Sequence, residues 1–236
     1  MKILALDSTA ICATAAVCED EKLLCQITLN NGNTHSETLL PMVEFMLRSL
    51  ALSVHDMDLL ALSEGPGSFT GVRIGAATVK GLAFGTDIPC LGVSTLEALA
   101  YNLKSFSGIL CPVMNARRSQ LYNALFDCDS HTVTRLCEDR AIAISDLDAE
   151  LAALGRPVFL CGDGTDLALG AFKKALCQRA PETLVYQNAY SVAQCALAKY
   201  QTGIRTKDTE LVPTYLRLPQ AERERLEREQ KKNENI

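Results

Sequence analysis

The chain is organised around the stretch Gly65-Pro66-Gly67-Ser68-Phe69-Thr70-Gly71-Val72-Arg73-Ile74-Gly75, because it joins residues that favour a tight turn to residues that favour a helix start. The apolar residues 59–62 before it are typical of a short buried strand, and apolar residues recur after it with helical spacing. Glycine allows backbone angles that a Cβ forbids, and Ser68 or Thr70 can cap the first N–H groups of a helix. The stretch therefore predicts a strand, a turn and a helix in succession.

The start of this helix has two interpretations. Its N–H groups and the helix dipole favour an anion, so the turn can cradle a phosphate. The stretch lacks the lysine of a Walker loop, because Val72 and Arg73 follow Gly71, and its third glycine comes one residue too late for a dinucleotide-binding loop. Glycine spacing alone favours a turn that lets the helix pack closely on its neighbours.

Composition places the chain among globular proteins. Its 236 residues are 48% hydrophobic, which is enough for one large domain or two small ones. A net charge of -5 argues against a chain that binds nucleic acid by itself. Asp7 comes too early for a signal-peptide core, no later apolar run is long enough for a membrane span, and the 10 cysteines are scattered. We expect a cytoplasmic protein with reduced, structural cysteines and no contact with a membrane.

The order of apolar runs predicts a mixed α/β fold. Residues 3–6, 12–18 and 23–29 form a predicted antiparallel meander, and a helix over residues 35–50 follows. After the glycine turn, the second half of the chain repeats a strand-first order, which suggests a duplicated architecture. The polar residues 222–232 carry oppositely charged pairs four residues apart and predict a solvated helix.

Two predicted helices are more apolar than a helix that covers one sheet. The helix over residues 35–50 carries Leu39, Leu40, Met42, Val43, Phe45, Met46, Leu47 and Leu50. The helix after the turn carries small residues that allow close approach, namely Gly75, Ala76, Ala77, Gly81 and Ala83. The excess implies a second buried face, and the pattern does not distinguish an internal core from an interface with a partner chain.

Residues that carry chemistry are sparse. The three histidines lie far apart in the chain, so no local zinc site is predicted. Asp7 can hold magnesium near a phosphate or form a turn, and Arg117 and Arg118 can clamp an anion or be solvated. We predict no catalytic residue and no metal ligand. The candidate cofactor-binding residues are Asp7, Gly65, Gly67 and Ser68.

Four segments together resemble the TsaB family, also called YeaZ. They are residues 65–75, Gly92-Val93-Ser94-Thr95-Leu96, Asn115-Ala116-Arg117 with Tyr122, and residues 212–217. The resemblance implies an α/β fold of the actin-like ATPase (ribonuclease H-like) type, duplicated into two lobes with mixed sheets and a reduced second lobe. The expected divisions are an N-terminal lobe at residues 1–100, a smaller lobe at 101–210, and a C-terminal segment with a charged tail at 211–236.

The resemblance also implies a function. TsaB-like proteins support formation of N6-threonylcarbamoyladenosine (t6A) at position 37 of tRNAs that read codons beginning with A. In that family the chemistry belongs to a paralogue, TsaD, whose His-x-x-x-His metal site matches Thr95 and Leu99 here. Asn115 stands where we expect aspartate in most of the family. These departures imply a non-catalytic subunit that requires no cofactor of its own, in an assembly that uses ATP.

Partners follow from the same resemblance. It implies a heterodimer with TsaD, or a homodimer, through the helices at residues 35–50 and 70–85, with the ATPase TsaE joining and tRNA contacted indirectly. The expected interface residues are His35, Leu39, Met42, Val43, Met46, Phe69, Val72, Arg73, Ala76 and Val79. The competing functions are an independent actin-fold ATPase and a glycoprotease-like metallopeptidase.

Overall fold

A computed structural model describes residues 1–217, and the predicted charged helix at 222–232 lies outside the described residues. The strands of this part are β1 (Lys2–Asp7), β2 (Ala13–Glu19), β3 (Lys22–Leu29), β4 (Leu59–Gly65), β5 (Cys90–Ser94), β6 (Ser107–Asn115), β7 (Gln120–Asn123), β8 (Phe126–Asp129), β9 (Val133–Arg135), β10 (Arg140–Ala143), β11 (Val158–Cys161) and β12 (Cys177–Arg179). The α-helices are α1 (His35–Ser49), α2 (Phe69–Ala83), α3 (Thr95–Tyr101), α4 (Ile144–Ala153), α5 (Thr165–Ala171), α6 (Glu182–Val185) and α7 (Ala189–Gln201).

The first sheet has the strand order β3-β2-β1-β4-β5. Strands β1, β2 and β3 pair antiparallel, whereas β4 pairs parallel with both β1 and β5. The predicted meander and the predicted alternation of strands and helices after it are both confirmed.

Side chains of the first sheet alternate between two buried layers, as the pleat of a strand requires. Leu4 and Leu6 of β1 face a core formed with α1 and α2. Ile3 and Ala5 face a second core, to which α7 contributes Ala189, Val192, Ala193 and Ala196. Helices therefore cover both faces of this sheet.

Helix α7 does not pack with the lobe to which the predicted division of the chain assigns it. The expected lobe at 101–210 contains α7, yet α7 packs on the first sheet, because its small residues fit closely against the alanines of β1, β2 and β4. Helix α3 lies between the two halves, since Ala98 belongs to the core of the first sheet and Leu96 and Leu99 to the core of the second.

The second sheet has the strand order β10-β7-β6-β11-β12, with β8 and β9 attached through β6. Between β7 and β8, the buried Asn123 side chain donates to the carbonyl groups of Pro112 and Ala124. The C-terminal half of β6 pairs with β7 and its N-terminal half with β8. Within residues 1–217, no helix combines the length and apolar character that crossing a membrane requires.

Candidate functional site

The glycine stretch forms the predicted strand, turn and helix. Strand β4 ends at Gly65, and α2 begins at Phe69 with Ser68 as its N-cap, whose hydroxyl accepts a hydrogen bond from the Gly71 N–H at 3.3 Å. Gly65 has a φ of +119°, a region that favours glycine. The predicted succession of strand, turn and helix is therefore confirmed.

Close packing explains two further glycines of the turn. A Cβ on Gly67 would lie 2.4 Å from the Thr9 carbonyl oxygen, and a Cβ on Gly71 would lie 2.0 Å from that of Ser8. The Ser68 N–H donates to the Thr9 carbonyl at 2.6 Å. The chain's own backbone therefore fills the space between the turn and the segment after β1.

Asp7 acts as a turn former. Its carboxylate is 2% exposed and accepts hydrogen bonds from the Thr9 N–H at 2.8 Å, the Thr9 hydroxyl at 2.7 Å and the Ser63 hydroxyl at 2.5 Å. Burial raises the pKa of Asp7, and these hydrogen bonds lower it. The carboxylate oxygens of Asp7 are thus occupied by hydrogen bonds inside the protein, and Asp7 is not placed to bind a cofactor.

A cleft of about 650 Å³ lies beside the turn, between elements of the two sheets. Of the four candidate cofactor-binding residues, Gly67 and Ser68 line it, whereas Asp7 and Gly65 do not. The other lining residues are Thr9, Ala10, Ile11, Pro66, Phe69, Thr70, Met114, Asn115, Ala116, Arg117, Tyr122, Asp163, Thr214, Tyr215, Leu216 and Arg217.

The segment at residues 212–217 ties the two halves together at this cleft. The Thr214 N–H donates to the Glu64 carbonyl at 2.7 Å, and the Tyr215 ring stacks on Phe69 with centroids 4.8 Å apart. Arg217 donates to the Ala116 carbonyl at 2.5 Å. Composition did not single out this segment, and only the family resemblance drew attention to it.

Asp163 lies in the cleft at the end of β11. Burial raises the pKa of Asp163 to about 6, and the neighbouring Asp7 adds to the shift. The Asn115 N–H approaches its Oδ1 at 3.4 Å and partly opposes the shift. The folded state therefore holds a proton on Asp163 at pH values where an unfolded aspartate is already ionised.

A pH-dependent loss of stability follows for Asp163. Because the folded pKa exceeds the ordinary aspartate pKa of 3.8, the contribution of Asp163 to stability is lost as pH rises through about 6. We expect Asp163→Asn to leave the free energy of unfolding nearly unchanged at about pH 4 and to raise it at about pH 7. Urea denaturation at the two pH values measures this, and an equal effect at both would contradict it.

The positions that match the TsaD metal site are buried. The Thr95 side chain is fully buried with an Oγ1 that has no hydrogen-bond partner among residues 1–217, and Leu99 packs in the core of the second sheet. A hydroxyl and an alkyl group at these two positions do not make a zinc or iron site. Elsewhere in residues 1–217, no three His, Cys, Asp or Glu side chains are grouped for metal binding.

Most of the expected interface residues are internal, which corrects that prediction. Seven of them are buried between the first sheet and the two helices: Leu39, Met42, Val43, Met46, Val72, Ala76 and Val79. Helices α1 and α2 contact the first sheet and each other, and these contacts use the apolar positions that were expected at a partner interface. Of the remaining three, His35 and Phe69 are half-buried and Arg73 is exposed.

His35 and Arg73 have contacts within the chain. The His35 Nε2 lies 2.7 Å from the Ala10 carbonyl oxygen. The Arg73 guanidinium lies over the Phe69 ring, 3.8 Å from its centroid, and its Nε donates to the Tyr215 hydroxyl at 3.0 Å. These two side chains therefore order the start of α1 and the segment at 212–217.

A different set of residues forms the outer face of α1 and α2. Leu40 and Phe45 of α1 are 52% and 53% exposed, and Phe84, at the end of α2, is 83% exposed. Ala77 and Gly81 are exposed on α2. We call these five residues the outer face. Positions 40 and 45 lie on the two flanks of the buried arc of α1, so the signal in the sequence was an apolar stripe wider than one sheet covers.

Comparisons with known proteins agree on one family. Residues 22–225 match the family model for TsaD, described as tRNA N6-adenosine threonylcarbamoyltransferase. The tRNA threonylcarbamoyladenosine biosynthesis protein TsaB of Bacillus subtilis is 30% identical over 223 residues, which cover 94% of this chain and 96% of that protein. The protein of the same name from Escherichia coli is 33% identical over 144 residues, covering 60% of this chain and 62% of that protein.

Solved structures show the same fold. A crystal structure described as YeaZ from Pseudomonas aeruginosa superposes with a TM-score of 0.79 at 23% identity, covering 91% of this chain and 99% of that chain. The nucleotide-bound activator of a 2-hydroxyisocaproyl-CoA dehydratase from Clostridium difficile has a TM-score of 0.50 at 9% identity, covering 86% and 97%. The predicted actin-like α/β fold with two mixed sheets is confirmed. The nearly full-length match to TsaB and the match to the TsaD model show that this chain belongs to the TsaB family.

Proposed function

We propose that the chain is a non-catalytic subunit that binds TsaD and activates it for threonylcarbamoyl transfer to adenosine 37 of tRNA in the cytoplasm. TsaE joins the assembly and ATP is consumed there, while tRNA is contacted only indirectly. The relatives named for t6A biosynthesis support the pathway. The observation that carries the partner role is the exposed apolar outer face of α1 and α2.

The outer face has the composition of an interface centre. Two exposed aromatic rings and a leucine are costly to leave in water, and aromatic anchors dominate the energy of many protein interfaces. Ala77 and Gly81 lie on the same side of α2 and present little side chain. A helix from a partner can therefore approach the α2 backbone closely.

The chain's own residues argue against an independent enzyme. Asp7 is buried with its oxygens occupied, Asn115 is neutral, and positions 95 and 99 do not supply metal ligands. Within residues 1–217, Asp163 is the one carboxylate that lines the cleft, and no three His, Cys, Asp or Glu side chains are grouped for a metal, which favours neither the ATPase nor the metallopeptidase. A role through binding is the simpler explanation of the same structure.

We expect Leu40→Asp combined with Phe84→Asp to weaken binding to TsaD at least ~100-fold, because both changes put a charge into the desolvated centre of the interface. Isothermal titration calorimetry with purified TsaD measures the loss, and circular dichroism checks that the variant stays folded. Leu176→Asp is the matched control, since Leu176 is 94% exposed and lies outside the outer face. Unchanged affinity in the double variant would contradict the proposal.

Gly81→Gln separates binding from folding. A Cβ on Gly81 meets no atom within 4 Å, and glutamine favours a helix over glycine by roughly 0.5 kcal/mol or more. The variant should therefore be at least as stable as the wild type while losing affinity for TsaD. A stable variant with full affinity would show that helices do not meet at this point.

Reconstitution of tRNA modification tests the function itself. We expect t6A formation by TsaD and TsaE to require this chain and to be lost with the Leu40 and Phe84 double variant. Turnover of Mg-ATP by the chain alone, or stoichiometric bound metal in the purified chain, would favour the independent enzymes. Light scattering of the chain alone and mixed with TsaD distinguishes a homodimer from a heterodimer.

A further inference from the structure

The connection between β3 and α1 contains an asparagine followed directly by a glycine. Asn31-Gly32 is the one Asn-Gly pair in the sequence. The side-chain amide of an asparagine can be attacked by the backbone nitrogen of the next residue, and a side chain on that residue hinders the approach. Glycine removes this hindrance because it has no Cβ. An intramolecular attack on an asparagine amide therefore meets the least steric resistance at this pair.

The structure leaves the backbone nitrogen of Gly32 open to such a reaction. Asn31 and Gly32 are both exposed. A Cβ built on Gly32 meets no atom within 4 Å, so no neighbouring segment packs on this point of the turn. Among residues 1–217, no group accepts a hydrogen bond from the Gly32 N–H. The nitrogen is therefore held neither by a hydrogen bond nor by packing.

The Asn31 side chain is directed toward the same turn. Its Oδ1 accepts a hydrogen bond from the Asn33 N–H at 3.1 Å. Because Gly32 lies between these two residues, the hydrogen bond folds the amide over the Gly32 peptide, as in an Asx turn. A donor at Oδ1 also stabilises the negative charge that develops on this oxygen when a nucleophile adds to the amide carbon. The turn therefore favours attack at the Asn31 Cγ.

A chemically similar pair elsewhere in the chain is protected by the fold. Asp163-Gly164 also places a side-chain carbonyl next to a glycine nitrogen. The Gly164 N–H donates to the Val113 carbonyl at 3.0 Å, and a Cβ on Gly164 would lie 2.9 Å from the Leu121 Cδ2. Hydrogen bonding and packing thus fix this nitrogen in place. Asn31 differs from Asp163 because the nitrogen that follows it is open.

We propose that Asn31 is a site of spontaneous deamidation in the folded protein. The Gly32 nitrogen loses its proton to solvent and attacks the Asn31 Cγ, which forms a succinimide ring. The bond from Cγ to Nδ2 breaks, and ammonia leaves with a proton taken from water. Water then opens the ring at either of its carbonyl groups, which gives aspartate or isoaspartate at position 31. The reaction transfers no electrons between groups and consumes only water.

The reaction adds one negative charge in front of α1. Position 31 precedes Thr34, the N-cap of α1, whose side chain makes no capping hydrogen bond. Negative charge near a helix N-terminus is favourable, and the effect is confined to the neighbourhood of the first turn. We therefore expect the modified chain to stay folded and to accumulate. The proposal is independent of the partner role, because no residue of the outer face lies in this connection.

Peptide mass spectrometry of the full chain after incubation at mildly alkaline pH tests the proposal. We expect amide-to-acid conversion at Asn31 to be at least ~10-fold faster than at Asn30 or Asn33, whose following residues carry side chains. The rate in the folded chain should stay within ~10-fold of the rate in urea, because an exposed connection opens at almost no free-energy cost. Conversion that occurs only in urea, or equally at the three asparagines, would overturn the proposal.

Matched glutamine variants locate the reaction. Asn31→Gln lengthens the side chain by a methylene group, so the attack has to close a larger ring. We expect the acidic form separated by ion-exchange chromatography to fall at least ~10-fold in this variant, because the amide carbon is no longer placed next to the Gly32 nitrogen. Asn33→Gln keeps the backbone donor to Asn31 and should leave the acidic form unchanged. The same amount of acidic form in both variants would contradict the site.

Gly32→Asn tests the steric argument. Asparagine tolerates the left-handed φ of +76° found at Gly32, and its Cβ would meet no atom within 4 Å. The fold should therefore be kept, which circular dichroism checks, while the added side chain hinders the backbone nitrogen. We expect deamidation at Asn31 to slow by ~10-fold or more. An unchanged rate in the folded variant would show that the open glycine nitrogen does not make Asn31 reactive, and would contradict the proposal.

Discussion

Met42→Asp is expected to unfold the protein or leave it insoluble. Met42 is 5% exposed and lies among Leu39, Val43 and Met46 in the core between α1 and the first sheet. An unpaired carboxylate there costs about 5 kcal/mol or more, which is comparable with the whole stability of many domains. Thermal and urea denaturation of any soluble fraction measures the loss. We expect the same for Val79→Asp, because Val79 is 1% exposed in the same core.

Leu40→Asp is the matched control on the same helix. Leu40 is two residues from Met42 and is 52% exposed, so its substitution should change the free energy of unfolding by less than about 1 kcal/mol. A soluble, stable Met42→Asp protein would contradict the assignment of that residue to the core. The comparison also shows why a charged residue at Met42 or Val79 does not test partner binding, since loss of the fold would mimic loss of the interface.

Gly71→Ala is expected to lower the free energy of unfolding by about 3 kcal/mol, as forced overpacking in a close-packed site does. The added Cβ would lie 2.0 Å from the Ser8 carbonyl oxygen, and the Ser8 hydroxyl donates to the Gly71 carbonyl at 2.9 Å. Helix α2 therefore has to move away from the segment after β1, and the turn at Gly67 moves with it. Urea denaturation measures the effect.

Gly81→Ala is the control for this substitution in the same helix. Both changes gain helix propensity of up to about 1 kcal/mol, and at Gly81 nothing opposes the gain. We expect the Gly81 variant to be stabilised and the Gly71 variant to be destabilised. Similar effects at the two positions would mean that the close approach between α2 and Ser8 is not required.

The aspartate variants at Met42 and Leu40 and the alanine variants at Gly71 and Gly81 test the same packing of α1 and α2. The glycine turn brings α2 against the segment after β1, and the inner sides of α1 and α2 form a core with the first sheet. The outer face is exposed. Stability therefore depends on one side of each helix and the proposed binding to TsaD on the other, so the two properties can be changed separately.

Part of the functional surface could be predicted from sequence. The excess of apolar residues on α1 was visible, and so were the small residues of α2. The periodicity shows that two faces exist and does not show which face a core covers, because Met42 and Leu40 have similar hydrophobicity. Seven of the expected interface residues were therefore assigned to the wrong side, while Leu40 and Phe45 were noticed only as part of the apolar excess.

The set of residues that line the cleft could not be predicted from the sequence. Arg117, Asp163, Tyr122 and Arg217 are separated by up to 100 residues, and no spacing rule connects them. The candidates Asp7 and Gly65 were chosen from strand ends and glycine positions. The structure places both behind the cleft wall, because the backbone of residues 8 and 9 and of residue 214 lies in front of them.

Sequence patterns alone predicted the antiparallel meander, the strand-to-helix turn at Gly65 to Gly75 and, through four short segments, the family. These features depend on local backbone preference, on side-chain periodicity and on motifs that are continuous in the chain. The three-dimensional packing was needed to show which faces of α1 and α2 are buried, that α7 returns to the first sheet, and that two arginines and one carboxylate line the same cleft. Those outcomes depend on contacts between distant segments, and the free energy of such contacts is set by packing in three dimensions rather than by neighbours in the chain.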